Sequence, residues 1–355
     1  MKIKLTFGAT LLMGLLGSCG QPKKTSAEWE IQKNMEYDLA LQDKIYANFS
    51  SLPNNATNKD NETSLQKVEL GYHLYYDTRL SKNNTISCNS CHNLSTYGVD
   101  NEATSKGDDG GRGNRNSPTV LNAAFHTTQF WDGRAKDVEE QAGMPVMNPV
   151  EMAIPSEQFL VERLKGIELY QRLFSFAFPK EEQPITYNNI RLAIAAFERE
   201  LITPSKFDQY ISGDKTALTI QEKKGMLSFV NNNCVSCHAG PLLGGNMMQK
   251  FGVYDKYINY THSKTEDFGL MEQTKSPIDK YMFKVPSLRN VDKTGPYFHD
   301  GSVAKLDDAV KIMGKVQLDV ELSNEEVSNM VAFLKSLTGE VSERFTKAPK
   351  ALTMK

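Results

Sequence analysis

The stretches SCNSCHNL, residues 87–94, and NCVSCHAG, residues 233–240, carry one pattern, Cys-x-x-Cys-His, once in each half of the chain. Together they use Cys88, Cys91, Cys234 and Cys237, four of the five cysteines. Two thiols at this spacing can each add to one vinyl group of a haem. The adjacent histidine, His92 or His238, then falls beneath the iron, so the pattern reads as a c-type haem attachment site. Two rivals share it. A zinc site needs four ligands at about 2.0–2.3 Å, drawn here from two half-sites brought together. A dithiol redox pair does not call for the histidine and would have to occur twice.

Outward from the motifs, 355 residues make room for about two domains. A net charge of −2 supplies no basic footprint for nucleic acid. Apolar residues at 39% and charged ones at 24% describe an ordinary soluble globule. The N-terminus departs from that. MKIKLTFGATLLMGLLGSCG has two lysines, an apolar run and then small residues, the layout of a secretory signal over residues 1–18. The run from Leu5 to Leu16 is too short to span a bilayer. The fifth cysteine, Cys19 in LGSC, resembles a bacterial lipobox cysteine, acylated to anchor an exported protein. The reading is a periplasmic lipoprotein, with one cysteine for lipid and four for haem.

Residues 19–62 read as a polar tether, with SSLPNNATNKDNETS lacking any apolar period. Within them MEYDLALQDKIYANF could form one short amphipathic helix. Helical order follows. SEQFLVERLKGIELYQRLF places Phe159, Leu160, Leu164 and Ile167 on one face; NNIRLAIAAFERELI does the same with Ile190, Ile194, Phe197 and Leu201. Thr219 with Glu222, and Ser323 with Glu326, are capping boxes. TPSKFDQYISGDKTALT, residues 203–219, is the expected junction. The expectation is a mainly α fold of two cytochrome c-like haem domains with long loops, 63–205 and 206–339, with the tail 340–355 packing back on the first.

Several segments in order carry a resemblance: LYYDTRLSKNNTISCNSCHN, RNSPTVLNAAF, QFWDGRAKDVEEQA, FKVPSLRNV, TGPYFHDGSV and AVKIMGKVQL. Over roughly residues 63–340 the chain resembles the bacterial dihaem cytochrome c peroxidases and their relatives, the methylamine-utilisation dihaem enzymes. The resemblance implies reduction of H2O2 to water with electrons from a small periplasmic cytochrome c or cupredoxin. Peroxide needs two electrons while such donors give one at a time, so a second haem can hold one equivalent. The two irons should then differ in ligation, because axial ligands set potential.

By resemblance Met313 joins His238 on the second iron; alone it would read as a core methionine. The residue-modifying relatives carry tyrosine there, so Met313 favours the peroxidase over an enzyme that oxidises residues on a protein partner. Glu151 in NPVEM is the implied acid–base group for O–O cleavage, with Gln141 orienting it or its water. Trp131 in FWDGR is the implied carrier between the haems. Without the resemblance, Glu151 reads as a solvated carboxylate and Trp131 as a buried aromatic. A dihaem electron-transfer lipoprotein without peroxidase activity is the competing reading; Glu151 beside an open first haem counts against it.

Other positions follow from the resemblance. A Ca2+ ion is implied at Asn116, Thr294 and Pro296, His299 near a haem propionate, and a homodimer is common in the family. One departure matters. Where many members place a histidine that caps the first iron at rest, the loop TSKGDDGGRGNRN has Asp108. The expectation is an open first haem that needs no reductive activation, on a mobile loop, with His73 and His126 as structural histidines or substitute caps.

Overall fold

The computed structural model describes residues 25–353, so Cys19 and the signal segment lie outside the described residues. The fold is mainly helical; among the described residues the strands are Met248–Lys250 and Met282–Lys284, paired antiparallel.

In the first half, Ser64 opens the helix Leu65–Tyr76 by accepting the Lys67 N–H, and Thr186 does the same for Tyr187–Glu198. The two helices bury Leu70, Leu74, Ile190 and Ile194 against each other. Their crossing is close because Gly71 has no side chain: a Cβ there would lie 1.9 Å from the Ala193 carbonyl oxygen. In the second half, both capping boxes form, on Ile220–Asn231 and Asn324–Lys335. Gly225 repeats the device, with a Cβ position 1.8 Å from Asn329 O. In each crossing a phenylalanine one turn on, Phe197 or Phe333, closes the contact. Each half therefore has the same kind of close helix crossing, and its haem motif contacts one helix of that pair.

Two expectations about elements are corrected. The run after Ser156 is two helices, Glu157–Lys165 and Glu168–Ala177, broken at Gly166. Phe159 lies outside the core, under the Arg163 guanidinium at 4.6 Å. The stretch 19–62 is also no tether where it is described. Ser26–Asn48 is a 23-residue helix capped by Thr25 and Glu28. Its last turns, with Phe49, bury Leu41, Ile45 and Phe49 among Phe207, Tyr210 and Phe333. Asp38 pairs at 2.8 Å with Lys223, whose side chain is fully buried. Leu52 N–H then donates to Asp208 Oδ1 at 2.8 Å, and Asn61 Nδ2 to Glu139 Oε1 at 3.1 Å. The N-terminal arm thus runs from the second domain onto the first.

At the other end, Phe345 packs edge-on against Phe197 at 5.0 Å and Tyr72 at 5.5 Å. Arg344 meets Glu69 at 2.6 Å. Tail residues therefore rest on the first domain, although they follow the second in sequence.

Candidate active site

Both motifs end on a histidine oriented by the backbone. His92 Nδ1–H donates to Pro118 O at 2.9 Å, and His238 Nδ1–H to Leu243 O at 2.8 Å. Each bond leaves the Nε2 lone pair as the ligating atom, the usual arrangement of a metal-binding imidazole. Burial holds both rings below the usual histidine range, so they are neutral and ready to ligate.

Cys88, Cys91 and Cys234 behave oppositely to the thiols of a redox pair. Burial pushes Cys91 up to about 11 and Cys234 up to about 12, and Cys88 higher still. Reactive cysteines need a depressed pKa; these surroundings suit thioethers. Among the described residues no group of three or more His, Cys, Asp or Glu could hold a metal ion, so the two motifs do not converge on zinc.

Beside Cys234 and Cys237 lies a large apolar cavity lined by His238 and, from the helix Leu306–Leu318, Met313. Phe229, Phe283 and Val285 form part of its walls. His126 and His299 also line it, and each carries a buried Nε2 without a hydrogen-bond partner, His299 Nε2 lying 3.9 Å from Asp267 Oδ2. Orphaned buried polar atoms are rare. Here they fit a group that brings its own acceptors, as haem does through its propionates. His299 is stacked on Phe283 at 4.3 Å.

The seam between the halves passes through Asn116. Its N–H donates to His299 O at 2.6 Å, its side chain to Pro296 O at 2.8 Å, and its carbonyl accepts from Trp131 Nε1 at 2.9 Å. Trp131 lines the second cavity, and its own carbonyl accepts the Lys284 N–H at 2.7 Å. Pro118, which holds His92, lies two residues beyond Asn116. Trp131 is thus tied to both haem motifs. Of the calcium candidates, Asn116 and Pro296 meet directly, across the segment that contains the cis Gly295–Pro296 bond. Thr294 lies two residues away, its hydroxyl 3.4 Å from Val291 O. Pro296 O and the Asn116 side chain satisfy each other in this geometry.

Near Cys91 a second cleft is lined by Arg134, Asn148, Glu151, Tyr187 and Arg191. Glu151 is close enough to Cys91 for its charge to push that thiol upward. Burial raises the Glu151 carboxyl itself, opposed by the Arg134 charge and by a hydrogen bond from Asn148 Nδ2 to Oε1 at 2.9 Å. Its Oε2 makes no hydrogen bond among the described residues. Gln141 ends the short helix Val138–Gln141 and makes no hydrogen bond to Glu151; Asn148 occupies the orienting place. Asn148 stands three residues before Glu151 in NPVEM, so an Asx-type turn was the available signal. Arg134, in FWDGR, stacks on Phe130 at 3.5 Å and pairs with fully buried Asp132 at 2.9 Å.

Asp108 does not leave its loop free. Its carboxylate accepts from Asn83 N–H at 2.7 Å and Thr85 Oγ1 at 2.5 Å, and its own N–H donates to Glu151 O at 2.8 Å. These bonds hold the carboxyl below the usual range against the opposing effect of burial. Gly107 packs so tightly that a Cβ would lie 2.0 Å from Val150 O. The loop expected to be mobile is pinned to the segment that carries Glu151. His73 is a helix residue bonded to Glu69 O at 2.9 Å, and His126 contacts Lys284 at 3.0 Å; neither lines the Glu151 cleft.

A helical fold that presents two haem motifs on matching helix pairs defines a dihaem c-type protein. The comparisons place it within that class. The family model for di-haem cytochrome c peroxidase matches residues 65–216. The cytochrome c551 peroxidase of Pseudomonas aeruginosa is 45% identical over 303 residues, 85% of this chain and 87% of that protein. That of Nitrosomonas europaea is 47% identical over 275 residues, covering 77% and 80%. A methylamine utilization protein MauG from Methylophilus methylotrophus is 32% identical, covering 79% and 84%. Among solved structures, a MauG-like protein associated with microbial copper homeostasis superposes with a TM-score of 0.74 at 30% identity, over 84% of this chain and 96% of that one. The chain belongs to the di-haem cytochrome c peroxidase family. It is a peroxidase of the cytochrome-c type, with two c-type haems.

Proposed function

We propose that the chain reduces H2O2 to two waters at a first haem held by Cys88, Cys91 and His92, supplied with electrons through a second haem held by Cys234, Cys237 and His238. The observation that carries this reading is the inequality of the two sites. Met313 lines the same cavity as His238, whereas the Glu151 cleft near Cys91 contains an acid–base group and no histidine. His/Met ligation raises a haem's potential, which suits a centre that stores an electron.

The haems supply the redox chemistry; the protein supplies protons and position. Each turnover consumes two electrons and two protons per peroxide. With the haem bound, Glu151, its Oε1 held by Asn148, would use Oε2 to move a proton from one peroxide oxygen to the departing one. Arg134 offsets the negative charge that develops there. Trp131, bonded to Asn116 and lining the second cavity, carries the electron between the two sites. Electrons come from a small c-type cytochrome, as the relatives' names imply for them. A Ca2+ ion at Asn116, Thr294 and Pro296 would brace the seam, with the Asn116 amide turned to present its oxygen. Export and a lipid on Cys19 would put the enzyme where such donors circulate.

Because Asp108 pins the loop and stands in place of a capping histidine, the fully oxidised enzyme should be ready for peroxide. The test is stopped-flow peroxide reduction by oxidised enzyme and by enzyme pre-reduced by one electron. Equal initial rates without a lag are expected. A strict requirement for pre-reduction, together with a low-spin bis-histidine spectrum of the first haem, would refute the reading.

A further inference from the structure

Lys284 is 5% exposed, and its two polar partners are uncharged. Its Nζ donates to Thr128 O at 3.0 Å and lies 3.0 Å from His126 Nδ1. The carboxylate acting on it, Asp132, is already engaged by Arg115 at 2.6 Å and Arg134 at 2.9 Å. When His126 Nδ1 accepts from Lys284, the ring proton resides on Nε2. That atom is buried without an acceptor. Gly245 backs the ring, since a Cβ there would lie 2.8 Å from His126 Cδ2. Both side chains line the cavity shared by His238 and Met313.

A buried ammonium without a counter-charge is costly and tends to give up its proton. Burial holds Lys284 down to about 7 and His126 well below the usual histidine range. An electron arriving in the adjacent cavity adds negative charge, which favours the ammonium form. Other charged or titratable groups face the pair. Asp132 is neutralised by its two arginines. Arg115 is further tied to Asp267 at 2.7 Å and Glu272 at 3.1 Å. His299 stacks on Phe283, the residue next to Lys284. None of these protein groups is a free carboxylate able to fix the charge on Lys284, and a haem propionate meeting His126 Nε2 would act on the pair through the imidazole.

We propose that Lys284 and His126 form a proton-exchange site coupled to the second haem, taking one proton from solvent as that haem gains an electron and releasing it as the electron leaves. The site would place a proton beside the electron that the peroxide reaction consumes with it. This inference rests on the second haem occupying the His238–Met313 cavity.

The test is spectroelectrochemical titration of the holoenzyme across neutral pH, following the second haem. Wild type should lose potential as pH rises through neutrality, approaching 59 mV per pH unit, a tenfold change in equilibrium for one electron. Lys284→Met should be flat at the lower, alkaline value. Lys284→Arg, which keeps charge and bulk, should be flat at the higher, acidic value. His126→Asn should shift the pH midpoint. If both Lys284 variants keep the wild-type slope with their haem spectra intact, the proposal is overturned and His299 becomes the coupled group. A wild-type protein lacking a His/Met low-spin signature would instead refute the cavity assignment, a result read separately from the slope.

Discussion

Replacing Glu151 with glutamine separates proton transfer from architecture. The carboxylate makes one side-chain hydrogen bond, Asn148 Nδ2 to Oε1 at 2.9 Å, which a glutamine carbonyl oxygen can still accept. The segment is held through main-chain atoms, Asp108 N–H to Glu151 O at 2.8 Å and Glu151 N–H to Asn148 O at 3.0 Å, which the substitution leaves alone. The folding cost should therefore be under about 1 kcal/mol, the scale of one neutral hydrogen bond. The catalytic cost is of another order. Loss of a positioned acid–base group removes about 10²–10⁴-fold, or roughly 3–5 kcal/mol of barrier at 1.36 kcal/mol per tenfold. Peroxide turnover with saturating reduced cytochrome is the assay, with urea denaturation and both haem spectra as controls. The pH profile adds a second check. Burial raises the Glu151 carboxyl above its ordinary value, so a step that needs the carboxylate fails as pH falls through that raised pKa. The acid limb of the profile should sit above that of an ordinary glutamate and vanish in the variant. Turnover within threefold of wild type, with the limb unchanged, would refute the assignment.

Two further perturbations test the frame. Gly225→Ala places a Cβ 1.8 Å from Asn329 O and must spread the helix pair, at about 1–3 kcal/mol or more for overpacking; urea unfolding should show it, and an unchanged midpoint would deny the close crossing. Trp131→Phe loses the Nε1 bond to Asn116 O at 2.9 Å, about 1 kcal/mol, and should slow reoxidation of the pre-reduced second haem by peroxide in stopped flow. An unaltered rate would remove Trp131 from the electron path.

Physics explains which residues of the site could be read from the chain alone. Haem attachment is local chemistry: Cys88, Cys91 and His92 must be neighbours in sequence to reach one haem, so their spacing is its own signal. Capping boxes at Thr219 and Ser323 are equally local. Asn148 is legible only as an Asx-type turn three residues before Glu151; that its amide holds Oε1 follows from the folded turn. Gln141, ten residues before Glu151, ends a separate short helix and makes no hydrogen bond to the carboxylate. Asp108 was recognised as a departure, yet its three anchoring bonds reach to Asn83, Thr85 and Glu151, which no local pattern announces.

The N-terminal arm shows the same limit. Leu41, Ile45 and Phe49 recur every fourth residue, but the surface they bury against comes from Phe207, Tyr210 and Phe333. Without that surface they read as one short amphipathic helix inside a polar tether. From the sequence alone came the two haem motifs and the helical class, because each depends on residues close along the chain. Tertiary structure alone decided which arms cross between the halves, how Trp131 joins both sites through Asn116, and that Lys284 and His126 share a buried cavity. Those outcomes depend on which distant surfaces exclude water together, and burial is a property that no short segment possesses by itself.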